Sequence, residues 1–331
     1  MVYTINDFKK IEAYMRYKNS IKIVFSNFSI VWKSMLYFLL VMLMVVGLLY
    51  LAINPIFELL KSSGFVADAV NVYTGFLTSL NFSNLLLSIK DLGAQLLTIF
   101  EENISSIWIN FTAIGLILGF FMVIASNMAI VPMCNSLNYY MGSINNYGFY
   151  SSFSDTFGKS LKITLIQYLV SLPLDIIIMI IFGFSFRLFN ASWWLISFLA
   201  PFIIMSLFIL LVAIRYTLFA SWTPTMIMMN YSIWKSLGVA IKTSFRYFWK
   251  VLGTAIGVIL TMIVLNVFLG LFTLGAGFLI SIPTSFLLYS AFGMVVTYEG
   301  LGNRYYVDVY NVVTPLKKEK TDKFEDMKYI V

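Results

Sequence analysis

Histidine is absent from the 331 residues, cysteine occurs once, and only 11% of positions are charged. Each shortage removes a class of function. Histidine is the commonest metal ligand and the usual general base near neutral pH. Zinc hydrolysis by histidine clusters, Ser–His–Asp chemistry and Cys–His chemistry are therefore excluded. Carboxylate or lysine chemistry stays open, but no catalytic pair is visible to carry it. Cys134 cannot form an intrachain disulfide, and near the end of an apolar run it reads as a packing residue. A soluble domain carries about 25% charged residues, and no segment of this chain has that composition. Phosphate-binding loops, EF-hands and dinucleotide fingerprints are missing too. The expectation is a protein that is not an enzyme, with no catalytic residue, metal or cofactor.

What the chain has in quantity is apolar surface, 60% of its residues. Six runs are long enough to cross a bilayer: Met35–Ile53, Ile107–Val131, Ile163–Phe184, Trp194–Phe219, Val251–Phe272 and Phe278–Tyr298. A helix rises about 1.5 Å per residue, so roughly 20 residues cover the ~30 Å hydrocarbon core. The predicted fold is all-α, a polytopic membrane protein of six transmembrane helices. They form three helical hairpins, each preceded by a cytoplasmic interfacial helix. Residues 1–302 make one membrane domain and 303–331 a polar cytoplasmic tail. The segment before Met35 is too long for the basic region of a signal peptide and no small-residue cleavage site follows the first run. That run is expected to remain as a membrane helix.

The net charge of +7 raises the possibility of nucleic acid. Its placement argues against that partner, because the basic residues flank the spans instead of forming a soluble basic face. Of 22 Lys and Arg, eighteen lie on one side of the six spans and three, Lys61, Lys90 and Arg187, on the other; Arg215 falls within span four. The positive-inside rule then puts both termini in the cytoplasm. The outer segment 54–106 leans acidic and carries apolar residues at helical spacing, as in Leu85, Ile89, Leu92, Leu96 and Ile99. Two or three amphipathic helices are expected there, with breaks at Asn54-Pro55 and Ser62-Ser63-Gly64.

Three windows match one another: Val24–Lys33, Phe153–Lys162 and Ile241–Lys250. Each has an apolar residue first, Phe fifth, Trp or Leu ninth and Lys tenth. The i, i+4, i+8 spacing lines one stripe of a helix. The physical reading is an internal repeat. In each copy a short helix lies in the cytoplasmic interface with its apolar stripe in the acyl region and its lysine at headgroup phosphates. Lys33, Lys162, Lys235, Lys242, Arg246 and Lys250 are the candidate contacts to anionic headgroups.

The stretch Arg215–Lys250 resembles a segment in a loose group of bacterial six-helix membrane proteins. The group comprises the membrane domain attached to some glycerophosphodiester phosphodiesterases and its stand-alone relatives. Trp222, Pro224, Ser236, Ala240, Ser244, Phe248 and Trp249 carry the likeness, over about a tenth of the chain. The phosphodiesterase activity of those fusions belongs to a separate, histidine-using soluble domain with no counterpart here, so the resemblance implies a membrane architecture and no activity.

Asp175 and Arg215 are the charged residues within the spans. A mid-membrane carboxylate costs a few kcal/mol unless it faces protein or water, and Pro173 beside it frees a backbone carbonyl. Counted from the span ends, Asp175 lies roughly 18 Å deep and Arg215 about 8 Å. Snorkelling of Arg215 to the headgroups is therefore expected over a direct pair. Gln167, Asn266 and Asn127 complete the candidate intramembrane polar site, and interhelical hydrogen bonding accounts for them equally well. Gly115/Gly119 and Gly253/Gly257 are spaced for close helix approach.

Two readings follow. The first is a non-enzymatic multi-pass protein of a bacterial plasma membrane, an envelope or transport-accessory component binding membrane lipids or a membrane-protein partner. The alternative is a small-solute or ion transporter built around Asp175.

Overall fold

The computed structural model of the protein describes residues 13–190 and 194–314, which are helical almost throughout. The chain is an all-α polytopic membrane protein. Six helical paths are long and apolar enough to cross a bilayer: Ser29–Ser62, Ile104–Ser143, Phe149–Leu188, Phe198–Met229, Phe248–Phe272 and Phe278–Leu301. Five of the predicted runs lie within these paths and the fourth, Trp194–Phe219, begins four residues before its path; the helices overrun the runs at most ends. Polar residues continue a helix wherever backbone hydrogen bonding and protein contacts carry it beyond the apolar window. Contacts divide the chain into two compact units, the first made of residues 1–38 and 127–331 and the second of Leu39–Ser126.

In the first unit α1 (Ala13–Ser26) precedes α2 (Ser29–Ser62), which runs on into the second. The second unit continues with α3 (Phe65–Ser79), α4 (Phe82–Glu102), α5 (Ile104–Leu116), a π-helical turn at Ile117–Met122 and α6 (Val123–Asn127). The expected break at Ser63–Gly64 is present, and Gly64 supplies it with a left-handed φ of 81°. The expected break at Asn54-Pro55 is not. Pro55 lies inside α2, because an apolar helix in a membrane tolerates the loss of one backbone hydrogen bond. Asn81 caps α4, accepting from the Ser83 and Asn84 amides at 3.1 and 3.3 Å. Gln95 Nε2 donates to Asp68 Oδ2 at 3.0 Å and links α3 to α4. Of the predicted stripe on α4, Leu85, Leu92, Leu96 and Ile99 are partly or fully covered, whereas Ile89 is exposed.

The first unit also holds α7 (Ile130–Ser143), α8 (Phe149–Ser185), a 3-10 turn at Phe186–Asn190 and α9 (Trp194–Phe219). It continues through α10 (Trp222–Met229), α11 (Ile233–Arg246), α12 (Phe248–Phe272) and α13 (Phe278–Leu301). The second half of α13 is the central post. Its apolar window is 61% buried, against 17–22% for the other five. Helices α1, α7, α10 and α11 gather around that half. Small residues allow it: a Cβ on Gly293 would lie 2.3 Å from the Ala220 carbonyl oxygen, and one on Gly300 would lie 2.2 Å from Thr243 Cγ2. On α11 the buried stripe is Ser236, Ala240 and Ser244, so its larger apolar residues Trp234 and Phe245 turn outward. Gly253 and Gly257 admit Ala13 and Tyr17 of α1, at 3.3 and 3.1 Å from a Cβ there. Gly115 and Gly119 do not mediate a close approach, since a Cβ on either would meet nothing within 4 Å.

The three matching windows differ in local structure. The first straddles the turn between α1 and α2, and the third straddles Tyr247 between α11 and α12. The second lies wholly within α8, so no separate helix precedes that span. The chain after α13 differs from a purely solvated tail as far as residue 314. Tyr305–Tyr306 pairs antiparallel with Val312–Val313, and Tyr305 and Val307 are buried against the first unit's core. Their apolar surface outweighs the polar composition around them. Lys9, Lys10 and the basic residues from Lys317 to Lys328 lie outside the described residues.

Candidate functional site

Asp175 and Arg215 are paired. Arg215 Nε donates to Asp175 Oδ1 at 2.5 Å, and its Nη2 reaches Asp175 Oδ2 and Ser171 Oγ, both at 3.2 Å. Ser171 Oγ donates in turn to Asp175 Oδ2 at 3.0 Å. This overturns the snorkelling expectation. The apolar path does not end at Phe219 but resumes in α10, where Trp222 through Met226 are buried. Arg215 thus lies 14 residues before the end of a path that closes at Met229, well inside it. The pair joins α9 to neighbouring α8. The pair is half-open, with 31% of the Arg215 side chain and 40% of the Asp175 side chain accessible.

The other intramembrane candidates do not join this pair. Gln167 Nε2 donates to Thr223 Oγ1 at 2.9 Å, tying α8 to α10. Asn266 Nδ2 donates to Ser285 Oγ at 2.9 Å and its Oδ1 accepts from Ser281 Oγ at 2.7 Å, tying α12 to α13. Asn127, half-buried at the end of α6, is hydrogen-bonded to none of them.

A pattern along α8 escaped the sequence reading. Ser152, Thr156, Ser160, Thr164, Gln167, Ser171 and Asp175 recur every three or four residues and form one polar stripe. Ser152, Ser160, Thr164 and Ser171 on it are buried. At its start Ser152 Oγ donates to the Pro132 carbonyl at 3.0 Å and accepts from Asn135 Nδ2 at 3.0 Å, so the stripe faces α7 there. The helical period of Ser and Thr was readable, but a search for charged residues passes over it.

Beside the start of the stripe lies a cavity of about 200 Å³ between α7, α8, α10 and α11. Asn135, Thr156, Lys159, Lys162, Asn230, Tyr231 and Ser232 supply its polar lining, and among the described residues no Asp or Glu lines it. Lys235 stands over the outer wall, its Nζ 3.9 Å from the centre of the Tyr231 ring. Asp155, one turn before Lys159 on α8, instead accepts a hydrogen bond from Tyr147. Lys33, Lys162, Lys235, Lys242, Arg246 and Lys250 are all exposed. Among the described residues none of the six has a carboxylate partner.

A second polar cluster had no sequence signal. Arg16 on α1 pairs with Glu299 near the end of α13, and their side chains are 7% and 2% exposed. Tyr305 donates to Glu299 Oε1 at 2.9 Å and accepts from Asn19 Nδ2 at 3.1 Å. Burial, then the Glu299 carboxylate beside it, push the Tyr305 phenol well above its usual range. Arg16 Nη1 has no hydrogen-bond partner among the described residues, but its guanidinium lies 5.6 Å from the centre of the Tyr247 ring.

No protein-family model, curated protein or solved structure matches this chain.

Proposed function

We propose that this multi-pass membrane protein is non-enzymatic, an envelope or transport-accessory component of a bacterial plasma membrane that binds anionic lipid headgroups through a basic cytoplasmic face. Both termini lie in the cytoplasm in this reading, and a membrane-protein partner on the same face is compatible with it. One observation carries the proposal. Lys235, Lys242, Arg246 and Lys250, exposed and without a carboxylate partner among the described residues, flank outward aromatic residues, Trp234 at 64%, Phe245 at 64% and Trp249 at 80% exposure. Large aromatics beside lysines, turned away from their own protein, suit the boundary between acyl chains and headgroups. The mutual packing of α7 and α10, which end the second and fourth spans, with α13, the sixth, supports the internal-repeat reading as well. The test is lipid retention by the purified full chain from mixed phosphatidylglycerol and phosphatidylcholine bilayers. Enrichment of phosphatidylglycerol is expected, lost in high salt and reduced in a variant with these four residues changed to Gln. Equal retention of both lipids sinks the reading. For the threading, impermeant thiol labelling of intact cells should reach cysteines placed at 68 or 91 and spare those at 159 or 242.

A second reading, small-solute or ion transport at Asp175, is favoured by the half-open state of the Asp175–Arg215 pair. Asp175→Asn at wild-type membrane abundance decides between them. Retained function supports the accessory role, and complete loss supports transport.

A further inference from the structure

The six predicted headgroup contacts form a diffuse basic face, but the cavity between α7, α8, α10 and α11 is a more specific feature of it. We propose that this cavity is a built site for a phosphate group, with Lys159 and Lys162 as its charge-bearing residues. The inference rests on the lipid-binding reading and sharpens it from a surface to a pocket. Four observations converge. The cavity is concave and of a size to hold a headgroup phosphate, about 200 Å³. Lys159 and Lys162, one helical turn apart on α8, belong to its lining, and neither has an ion-pair partner among the described residues. The polar residues Asn135, Thr156, Asn230, Tyr231 and Ser232 share that lining, and among the described residues no Asp or Glu belongs to it. Lys235, seated on Tyr231, adds a third positive charge just outside.

Chemistry then selects the ligand. A phosphate ester offers several acceptor oxygens and at least one negative charge. Lysine ammonium donors match it, and hydroxyl and amide groups fill its remaining lone pairs. Basic pockets between membrane helices on the cytoplasmic side bind phospholipid headgroups on these terms. The buried apolar floor of Val131 and Met226 excludes water from part of the site, which strengthens the attraction over that of an open surface. A phosphate could reach the cavity on a lipid or free in solution, and both sources present the same group to Lys159 and Lys162.

The test uses the full chain in a neutral detergent, with thermal stability as readout. Phosphatidylglycerol in mixed micelles and inorganic phosphate at constant ionic strength are titrated separately. Stabilisation by phosphatidylglycerol alone assigns the site to a lipid headgroup, and stabilisation by inorganic phosphate also assigns it to phosphate from either source. Lys159→Gln with Lys162→Gln should weaken the stabilising ligand by about fivefold for each lysine removed. Lys61→Gln with Lys90→Gln, equal in charge change and outside both the cavity and the six headgroup contacts, should leave that affinity unchanged. The proposal is overturned if neither probe stabilises the wild type, or if the two double variants weaken binding equally. In the latter case the lipid-binding reading survives as diffuse attraction. If phosphatidylglycerol is not enriched over phosphatidylcholine but inorganic phosphate still binds through Lys159 and Lys162, the pocket stands and the lipid reading falls.

Discussion

Arg16–Glu299 and Arg215–Asp175 are both arginine–carboxylate pairs that join different helices, yet their surroundings differ. The first is closed, its side chains 7% and 2% exposed, and Tyr305 and the Tyr247 ring complete its shell. The second is open, 31% and 40% exposed, with Ser171 as its one further side-chain partner among the described residues. A closed pair costs much to break, because the partner left behind is a buried charge without compensation. An open pair can be rescued by water, headgroups or side-chain movement, so its loss costs less. The closed pair also joins residues 283 positions apart, fastening α1 to the end of α13. Its role is to hold α1 and the segment at Tyr305 against α13. The open pair ties neighbours α8 and α9 and leaves atoms available to something else.

The comparison is sharpened by substitutions of decreasing expected effect, each read as thermal unfolding of the purified chain in detergent. Glu299→Gln should be the most damaging, by about 3–5 kcal/mol, since Arg16 would stay buried and unpaired. Replacing both partners by apolar residues, Arg16→Met with Glu299→Leu, should recover much of that loss. If Glu299→Gln is harmless, the closed pair is not a fastening. Next, Tyr305→Phe removes a hydrogen bond to a charged group and should cost about 1.5–3 kcal/mol.

It should also change the response to alkali. The folded phenol of Tyr305 titrates above its unfolded value. Its contribution is therefore complete below the unfolded pKa of about 10 and is lost as pH rises from there through the folded value. Wild type should lose stability more steeply than Tyr305→Phe above that point, and identical slopes would contradict the burial argument. Asp175→Asn falls between the surface and buried cases, about 1–2 kcal/mol. A loss as large as that of Glu299→Gln would erase the distinction between the pairs. Ser171→Ala should be smallest, about 0.6 kcal/mol, the usual worth of a hydrogen bond between membrane helices.

Much of the open site was legible beforehand and almost none of the closed one. Asp175 stands out as a lone acid in an apolar run, and Arg215 was visible as the other charge. Their pairing was missed because depth was counted from where hydropathy fell, at Phe219, whereas the buried path continues into α10. Lys162 was expected at a headgroup from its window. Lys159 was not singled out, since the cavity beside it exists only where α7, α8, α10 and α11 meet. Arg16 was one of the eighteen basic residues flanking the spans, and Glu299 stood just past the last of the six apolar runs. Nothing local links them, because the link is made by α1 folding back onto α13.

The sequence by itself determined the number of spans, the helical class and the stretches of chain that enter a membrane. Those follow from local composition set against bilayer thickness, and each is a property of some twenty consecutive residues. Tertiary structure alone decided which polar groups meet, which arginine is buried and which stays open, and where a cavity forms beside two lysines. Such outcomes depend on which helices become neighbours and at what depth. That depth is set by small residues at close crossings, such as Gly293 against Ala220, and by helices that continue past their apolar ends.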